Sequence, residues 1–388
     1  MKATLVIEHR FRKDIHGNIY SSSNSVNTSL WERYLAVFES LTVLARIEQV
    51  DYKISEDYLV SHNKVTFKGI PYYVGPKEFL KNYFKISRFI GKHIKTNQAY
   101  ICRLPSIVGN IVIKNLRRKK IPYVVELVGD PWEVFAPGVL KNPFSLLHRY
   151  RSFWTLKGKV KWAKGVIYVT EHTLQKRYPS NKEAIITHAS NVILKKESIS
   201  RVPKTLDKKP ETLKLISIGS LEQLYKSPDI VLHAMNTLAK SGINLKLTWL
   251  GDGIHKASMI RLAKSLELEN SVDFKGNVPS AMVSKYLDNA HLYIHVSRTE
   301  GLPRALIEAM AKGLPCIGSR VGGIPEILDD RALVNKNNVT ELVDKIRIFK
   351  VDTAFYNDQA AKNLKKAWEF EYESLASRRT KVYKSLLK

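Results

Sequence analysis

Ser297-Arg-Thr-Glu300-Gly-Leu-Pro-Arg304-Ala-Leu-Ile-Glu308-Ala-Met-Ala-Lys-Gly-Leu-Pro315 is the stretch on which the reading of this chain turns. The apolar run Leu292–Val296 before it has strand character, Gly301–Pro303 make a turn, and Arg304–Lys312 take helical spacing. A helix that starts at the carboxyl end of a parallel strand points unpaired N–H groups and a positive dipole end outward. The amides of Arg304 and Ala305 are therefore a ready anion site. Glu300 falls on the turn and Glu308 in the second turn of the helix. Ionised carboxylates only accept hydrogen bonds, and two at this separation suit hydroxyls of two sugar rings on one ligand.

Outward from this stretch, strand and helix alternate. Strands are expected at Lys214–Ile218, Lys246–Leu250, Val272–Lys275, Leu292–Val296 and Pro315–Gly318, with helices at Pro228–Ser241, His255–Leu266, Ala281–Asn289 and Arg304–Lys312. Long basic helices close the chain, about Ala354–Glu369 and Glu373–Leu387. The first half shows a strand at Ala3–Glu8, a polar loop containing Gly17 and the tract Ser21–Ser29, and a helix over about Leu30–Ile47. Short β-branched runs follow at Lys64–Phe67, Ala99–Cys102, Tyr123–Val128 and Val166–Val169. Such alternation predicts α/β architecture with parallel sheets. Two prolines and several charges in Ser198–Pro210 read as a linker. The expected plan is a domain over 1–200, a second over 211–370, and a terminal helix at 371–388 packing back on the first.

Composition narrows the function. Of 388 residues, 44% are hydrophobic and 26% charged, a globular rather than disordered balance. No apolar run reaches the ~18 residues that span a bilayer, and Ala3–Ile7 is too short for a signal peptide. Cys102 and Cys316 stand far apart, outside metal or C-x-x-C spacing, and read as buried small hydrophobes. The net charge is +27, from 63 basic and 36 acidic residues. Residues 1–200 hold +18 of it, which calls for an anionic partner on that half. No P-loop motif, G-x-G-x-x-G fingerprint or H-E-x-x-H occurs.

The run Ser297–Glu326 resembles the family 4 glycosyltransferases, whose signature is Glu, seven residues, Glu, an Ala-Met-Ala-like helix and a Gly-x-Pro turn. Glu300, Glu308 and Gly313–Pro315 match it. The resemblance implies the GT-B fold, two Rossmann-like doubly wound domains facing a central cleft. It also implies retaining transfer of a sugar from a nucleotide-diphosphate donor, UDP- or GDP-linked, with no cofactor besides that donor. In this reading Glu300 is catalytic and contacts the transferred sugar, while Glu308 takes the ribose hydroxyls. Leu215-Ile-Ser-Ile-Gly219-Ser220, then Lys226, resembles the family's first strand and phosphate loop. There an arginine and a lysine neutralise the diphosphate. Lys226 fits the lysine; Ser220 replaces the arginine, and Arg298, Arg304 and Arg320 stay open as substitutes. Trp249-Leu-Gly251-Asp-Gly253 resembles the second strand and its turn, and Val272–Pro279, with Asn277 and Val278, the segment whose backbone holds the base. Ser297, Gly301, Leu302, Pro303, Arg304 and Ala305 complete the donor set. With Lys226, arginines and a helix start near the diphosphate, no metal is required.

The resemblance is looser in the first half. Tyr123–Glu126 and Leu-Val-Gly129-Asp130 occupy the place where many members carry an active-site histidine. Asp130 or Glu126 is expected to orient the acceptor, although an aspartate capping a turn looks the same in sequence. Gly17 lies where a glycine-rich turn faces the donor. Lys141–Gly165 holds seven basic residues and no acid, interleaved with Phe144, Leu146, Leu147, Tyr150, Phe153, Trp154 and Trp162. With Leu116-Arg-Arg-Lys-Lys120 this suits an anionic membrane surface and a glycan or polyprenyl-diphosphate-linked acceptor, hence a peripheral place on the cytoplasmic face. Two other classes stay open. A nucleic-acid-binding protein would use the basic half, but no RRM, KH or helix-turn-helix pattern occurs and the motifs cluster in the less basic half. A GT-B epimerase or phosphorylase is left open by Ser220.

Overall fold

The computed structural model describes residues 1–22, 26–136 and 144–387. They divide into two units, one of Met1–Pro131, Leu147–Ala189 and Ala376–Lys388, the other of Trp132–Leu146 and Ser190–Leu375. This division differs from the expected 1–200, 211–370 and 371–388.

In chain order the first half comprises β1 (Lys2–Lys13), β2 (Ile19–Ser21), α1 (Ser29–Leu35), β3 (Ser40–Gln49), β4 (Val65–Ile70), α2 (Gly75–His93), β5 (Ala99–Leu104), α3 (Ile107–Arg118), β6 (Val124–Leu127), α4 (Pro131–Val134), α5 (Ser145–Lys161), β7 (Gly165–Tyr168), α6 (Thr173–Arg177) and β8 (Ile185–His188). The strands run β4-β3-β1-β5-β6-β7-β8, all parallel, with β2 antiparallel on β1. The expected helix over Leu30–Ile47 is wrong beyond Leu35. Leu41, Val43, Leu44 and Ala45 are buried in β3, between β1 and β4. A parallel strand covered on both faces loses the period of two, so its apolar run matched helical spacing just as well. Gly17 is a second correction. β1 runs on past Glu8 to Lys13, and Gly17 (φ +90°) sits at the tip of the β1–β2 hairpin rather than in a loop that ends the strand. Asp14 closes that hairpin, accepting from the amides of His16 and Asn18 at 3.0 and 2.8 Å. Residues 23–25 of the Ser21–Ser29 tract, and Lys141, lie outside the described residues.

The second unit is built on β9 (Leu213–Ile218), α7 (Pro228–Lys240), β10 (Leu245–Leu250), α8 (Lys256–Ser265), β11 (Val272–Gly276), α9 (Ser280–Asn289), β12 (Leu292–His295), α10 (Arg304–Ala311), β13 (Cys316–Ser319), β14 (Leu333–Val334), α11 (Val339–Val351) and α12 (Thr353–Ala367). Its six parallel strands are ordered β11-β10-β9-β12-β13-β14. Leu215, Leu232, Trp249, Ile294, Ile317 and Phe349 belong to one buried cluster. The segment read as a linker is stitched to this unit. Ser200 and Lys204 donate backbone bonds to Ala311 and Gly313 at 2.8 and 3.0 Å. The Lys204 ammonium donates to the carbonyls of Leu287 and Ala290 at 3.1 and 2.8 Å, where α9 ends. Prolines and charges marked an irregular path, and hydrogen bonds to this unit fix it.

The last helix, α13 (Tyr372–Tyr383), carries the chain into the first unit's final segment. Val382 packs where a Cβ on Gly165 would come within 2.6 Å of it, and the Arg378 guanidinium reaches His188 at 2.7 Å.

Candidate active site

In an open parallel sheet, ligands gather at the carboxyl ends of the strands where the strand order reverses. In the second unit that point lies between β9 and β12, from which the chain winds in opposite directions. All the expected donor-binding residues lie beyond strand carboxyl ends here. Gly219, Ser220 and Lys226 follow β9, Gly251 follows β10, Asn277 and Val278 follow β11, and Ser297 to Glu308 follow β12.

Lys226 and Glu300 meet across the switch point. The Lys226 ammonium pairs directly with Glu300 Oε1, with both side chains largely buried. The same oxygen accepts from His295 Nε2 at 2.9 Å and from Ser297 Oγ at 3.0 Å. Since a carboxylate cannot donate, His295 carries its proton on Nε2. Its Nδ1 then accepts from the Tyr293 hydroxyl at 3.1 Å. Burial and the Lys226 charge hold the His295 pKa below its ordinary value, against the pull of Glu300, so the ring is neutral at pH 7. Burial pushes the Glu300 carboxyl up, but the Lys226 charge and the His295 hydrogen bond more than offset it, leaving a pKa of about 2. The result is a fixed carboxylate backed by a relay of Tyr293, His295 and Ser297, with further N–H donors on Lys226 for an anion.

Close backbone packing positions these groups. A Cβ on Gly251 (φ +135°) would lie 2.1 Å from the Gly219 carbonyl oxygen, so only glycine lets the loops after β9 and β10 touch. A Cβ on Gly322 (φ +55°) would lie 2.2 Å from the Glu300 carbonyl, and Gly323 donates to Gly301 at 2.7 Å. The loop after β13 thus braces the Glu300 turn, which gives the family-like Ser319–Glu326 segment its structural reason.

Pro303 precedes α10, and no side chain caps the helix. Leu306, Ile307, Ala309, Met310 and Ala311 are buried, so the less covered side of α10 carries Arg304, Ala305 and Glu308. Glu308 is partly buried, and its carboxylate makes no hydrogen bond or ion pair among the described residues. Burial raises its pKa, with Arg304 opposing. A desolvated carboxylate without a partner is suited to accept from ligand hydroxyls.

The replacement for the arginine missing at Ser220 narrows. Arg298 is committed to Asp229, at 3.1 and 2.6 Å, and to the Leu224 carbonyl, fixing the loop that carries Lys226. Arg320 is paired with Asp330 through both terminal guanidinium nitrogens. Arg304 is exposed and makes no ion pair among the described residues. Ser220 accepts from the Glu222 amide at 3.2 Å, a local turn bond without charge. Among the described residues, no group of three or more His, Cys, Asp and Glu side chains converges on a metal position.

In the first unit, Asp130 and Glu126 are both tied up. Asp130 is buried, paired with Arg177 and accepting from the Tyr178 hydroxyl at 2.7 Å. Glu126 is buried and accepts from Tyr34 at 2.9 Å and from Tyr383, with Arg103 at 3.4 Å from its other oxygen. Burial raises the Glu126 pKa, but Arg103, Arg33 and the tyrosines outweigh it and keep the carboxylate charged. These bonds make Asp130 an anchor for α6, and Glu126 an anchor for the terminal segment.

His295 and Tyr293 were not singled out from sequence. Their one signal was a histidine ending an otherwise apolar strand, five residues before Glu300.

Residues 198–367 match the family model of Glycosyl transferases group 1. The whole chain is similar to Protein CapJ of Staphylococcus aureus, 28% identical over 99% of this chain and 96% of that protein. It is 32% identical to the putative colanic acid biosynthesis glycosyltransferase WcaL of Escherichia coli, over 42% of this chain and 41% of WcaL. In structure it is similar to Anabaena HepE in complex with UDP and glucose, with a TM-score of 0.66 and 14% identity over 99% of this chain and 100% of that one. That likeness shows the fold, the two parallel-sheet α/β domains of the GT-B type.

Proposed function

We propose, on the premise that residues 198–367 belong to the group 1 glycosyltransferases, that this chain moves a sugar from a nucleotide-diphosphate donor onto a glycan or lipid-linked acceptor in surface-polysaccharide synthesis. The observation that carries the reading is the Lys226–Glu300 pair at the strand-order reversal, with Glu308 unpartnered on the helix that follows. Glu300 holds the moving sugar, Lys226 and the first amides of α10 take the diphosphate, and Glu308 takes the ribose. The acceptor hydroxyl forms its bond to the anomeric carbon on the face from which the carbon–phosphate-oxygen bond breaks. The departing diphosphate receives the proton of that hydroxyl, and because bond making and bond breaking share one face the configuration is retained, as in family 4. Protein cations and helix amides neutralise that diphosphate, so the reading needs no metal. The UDP and glucose bound in the HepE complex support the donor class, and the colanic acid biosynthesis in the name of WcaL supports the pathway class.

A thermal-shift panel of UDP, GDP, ADP and CMP sugars, run in EDTA, tests this. One uridine or guanosine diphosphate sugar is expected to raise Tm in the wild type and far less in Glu308→Gln. The substitution removes a desolvated carboxylate of raised pKa. It should therefore stabilise the ligand-free protein by roughly 1 kcal/mol, about 2–4 °C, most visibly above the carboxyl pKa where Glu308 is charged. An unchanged ligand shift in Glu308→Gln would refute the ribose assignment.

The first unit supplies the membrane part of the reading. Leu147, Tyr150 and Trp154 are exposed on α5, with Lys157 5.3 Å from the Trp154 ring. α2 adds a pair the sequence reading missed, Leu80 and Phe84, the latter 83% exposed, flanked by Lys77, Lys81, Lys85 and Arg88. Apolar side chains ringed by cations suit anionic lipid. No helix among the described residues is long and apolar enough to cross a membrane. Vesicles containing anionic lipid should sediment the protein, salt should release it, and Phe84→Glu with Trp154→Glu should weaken binding about tenfold or more. Equal sedimentation with neutral vesicles would contradict the membrane face.

A further inference from the structure

At the amino ends of β6, β7 and β8, away from the carboxyl ends that gather ligands in such sheets, the first unit holds a cavity of about 590 Å³. Its size falls in the range of small-molecule sites. Arg117, Lys120 and Lys164 line it together with Trp162, Tyr123 and Glu183. None of the three cations makes an ion pair among the described residues, and Glu183 makes none either. Three cations against the single Glu183 carboxylate leave the hollow with an excess of positive charge, and an anion brought into it relieves the repulsion among them.

Two details make this a built hollow rather than a basic surface. Lys120 follows the end of α3 with φ +56°, the position where a helix ordinarily places glycine. Ile121 donates to the Leu116 carbonyl at 2.9 Å and Lys120 to Arg117 at 3.1 Å, completing that helix stop. A lysine there holds a strained backbone, and this residue lines the cavity. The wall is also rigid. Asn181 Nδ2 donates to the carbonyls of Lys161 and Ala163 at 2.9 and 3.2 Å, and the Tyr123 hydroxyl to Lys159 at 2.8 Å. Trp162 is 57% exposed, and the Arg117 guanidinium lies 4.9 Å from its ring centroid.

We infer that this cavity is a second saccharide site, taking a sugar unit that bears a carboxylate or phosphate group. The anionic group sits among Arg117, Lys120 and Lys164, a guanidinium fork and two ammonium points. The carbon–hydrogen face of the ring lies against the broad apolar wall of Trp162, and Glu183 accepts from ring hydroxyls. The choice of a saccharide over other anionic rings rests on the glycosyltransferase reading. The placement of the cavity does not.

The test is calorimetric titration of the full-length protein with three tetrasaccharides of one length, bearing uronate, phosphate or neither. Uronate and phosphate arms tell which anionic group is preferred, and binding of either supports the site. The neutral sugar should bind at least about tenfold more weakly. Lys120→Gly relieves the backbone strain, so it should melt no lower than the wild type while losing about tenfold in affinity for the acidic sugar. Nucleoside-diphosphate binding by Lys120→Gly should be unchanged, which separates failure at this cavity from failure of the donor site. Absence of acidic-sugar binding, equal binding of the neutral sugar, or full affinity in Lys120→Gly would each overturn the inference.

Discussion

Glu300→Gln lowers kcat for sugar transfer by roughly 10²–10³-fold, the scale of losing one preorganised electrostatic contact to a reacting group. The substitution keeps size and one carbonyl oxygen, so the donor still binds through Lys226, the start of α10 and Glu308. KM for the donor should therefore change far less than kcat. The carboxylate is needed in its charged form, and with a pKa of about 2 it has that form throughout the working range. An acid limb of activity near pH 4 to 6 would consequently persist in shape in Glu300→Gln, because other groups produce it. Proton NMR of the product measures turnover and, from the anomeric coupling, whether the configuration is retained as proposed. Undiminished turnover in Glu300→Gln would remove Glu300 from the mechanism.

Lys226→Met abolishes turnover and also unsettles the fold. Both side chains of the pair are at least 85% covered (side-chain exposure 14% and 9%). Removing the ammonium leaves a buried carboxylate held only by His295 and Ser297, a change that costs about 3–5 kcal/mol. At about 2–4 °C per kcal/mol for a unit of this size, Tm falls on the order of 6–20 °C. The double variant Lys226→Met/Glu300→Gln removes both charges and should recover most of that loss without recovering activity. The pH dependence has a definite sign. In the wild type the Glu300 pKa lies below its ordinary 4.5, so its contribution to stability is complete above that value and drains away as pH falls towards 2. Lys226→Met should lose this contribution, and its deficit against the wild type should shrink in acid. A deficit equal at every pH would contradict the ion pair as its source.

Much of the second unit was legible in the sequence because each level agreed with the next. Strand, glycine turn and helix start recur with correct spacing, and Glu300 and Glu308 fall eight residues apart on one turn and helix. The relay behind Glu300 was not legible. Hydrogen bonding of His295 to Glu300 depends on the turn at Gly301–Pro303 folding back over the strand end, a tertiary event that five residues of sequence separation does not specify. Arg298, Arg304 and Arg320 looked equivalent until Asp229 and Asp330 were seen to occupy two of them. In the first unit, β3 was hidden because burial on both faces erases alternation. Asp130 and Glu126 attracted attention as acids at a strand end. Their partners Arg177, Tyr178, Tyr34 and Tyr383 come from distant parts of the chain, and no local pattern announces them.

The central claim is that Lys226, with the first turn of α10 and Glu308, holds a nucleoside diphosphate at the reversal between β9 and β12. Isothermal titration of UDP and of GDP into the wild type and Lys226→Met, at a temperature where both are folded, measures this directly. One diphosphate should bind the wild type and bind Lys226→Met at least about tenfold more weakly, the loss of a charge-assisted contact. Equal affinity in the two proteins, or no binding of either diphosphate to the wild type, would contradict the account.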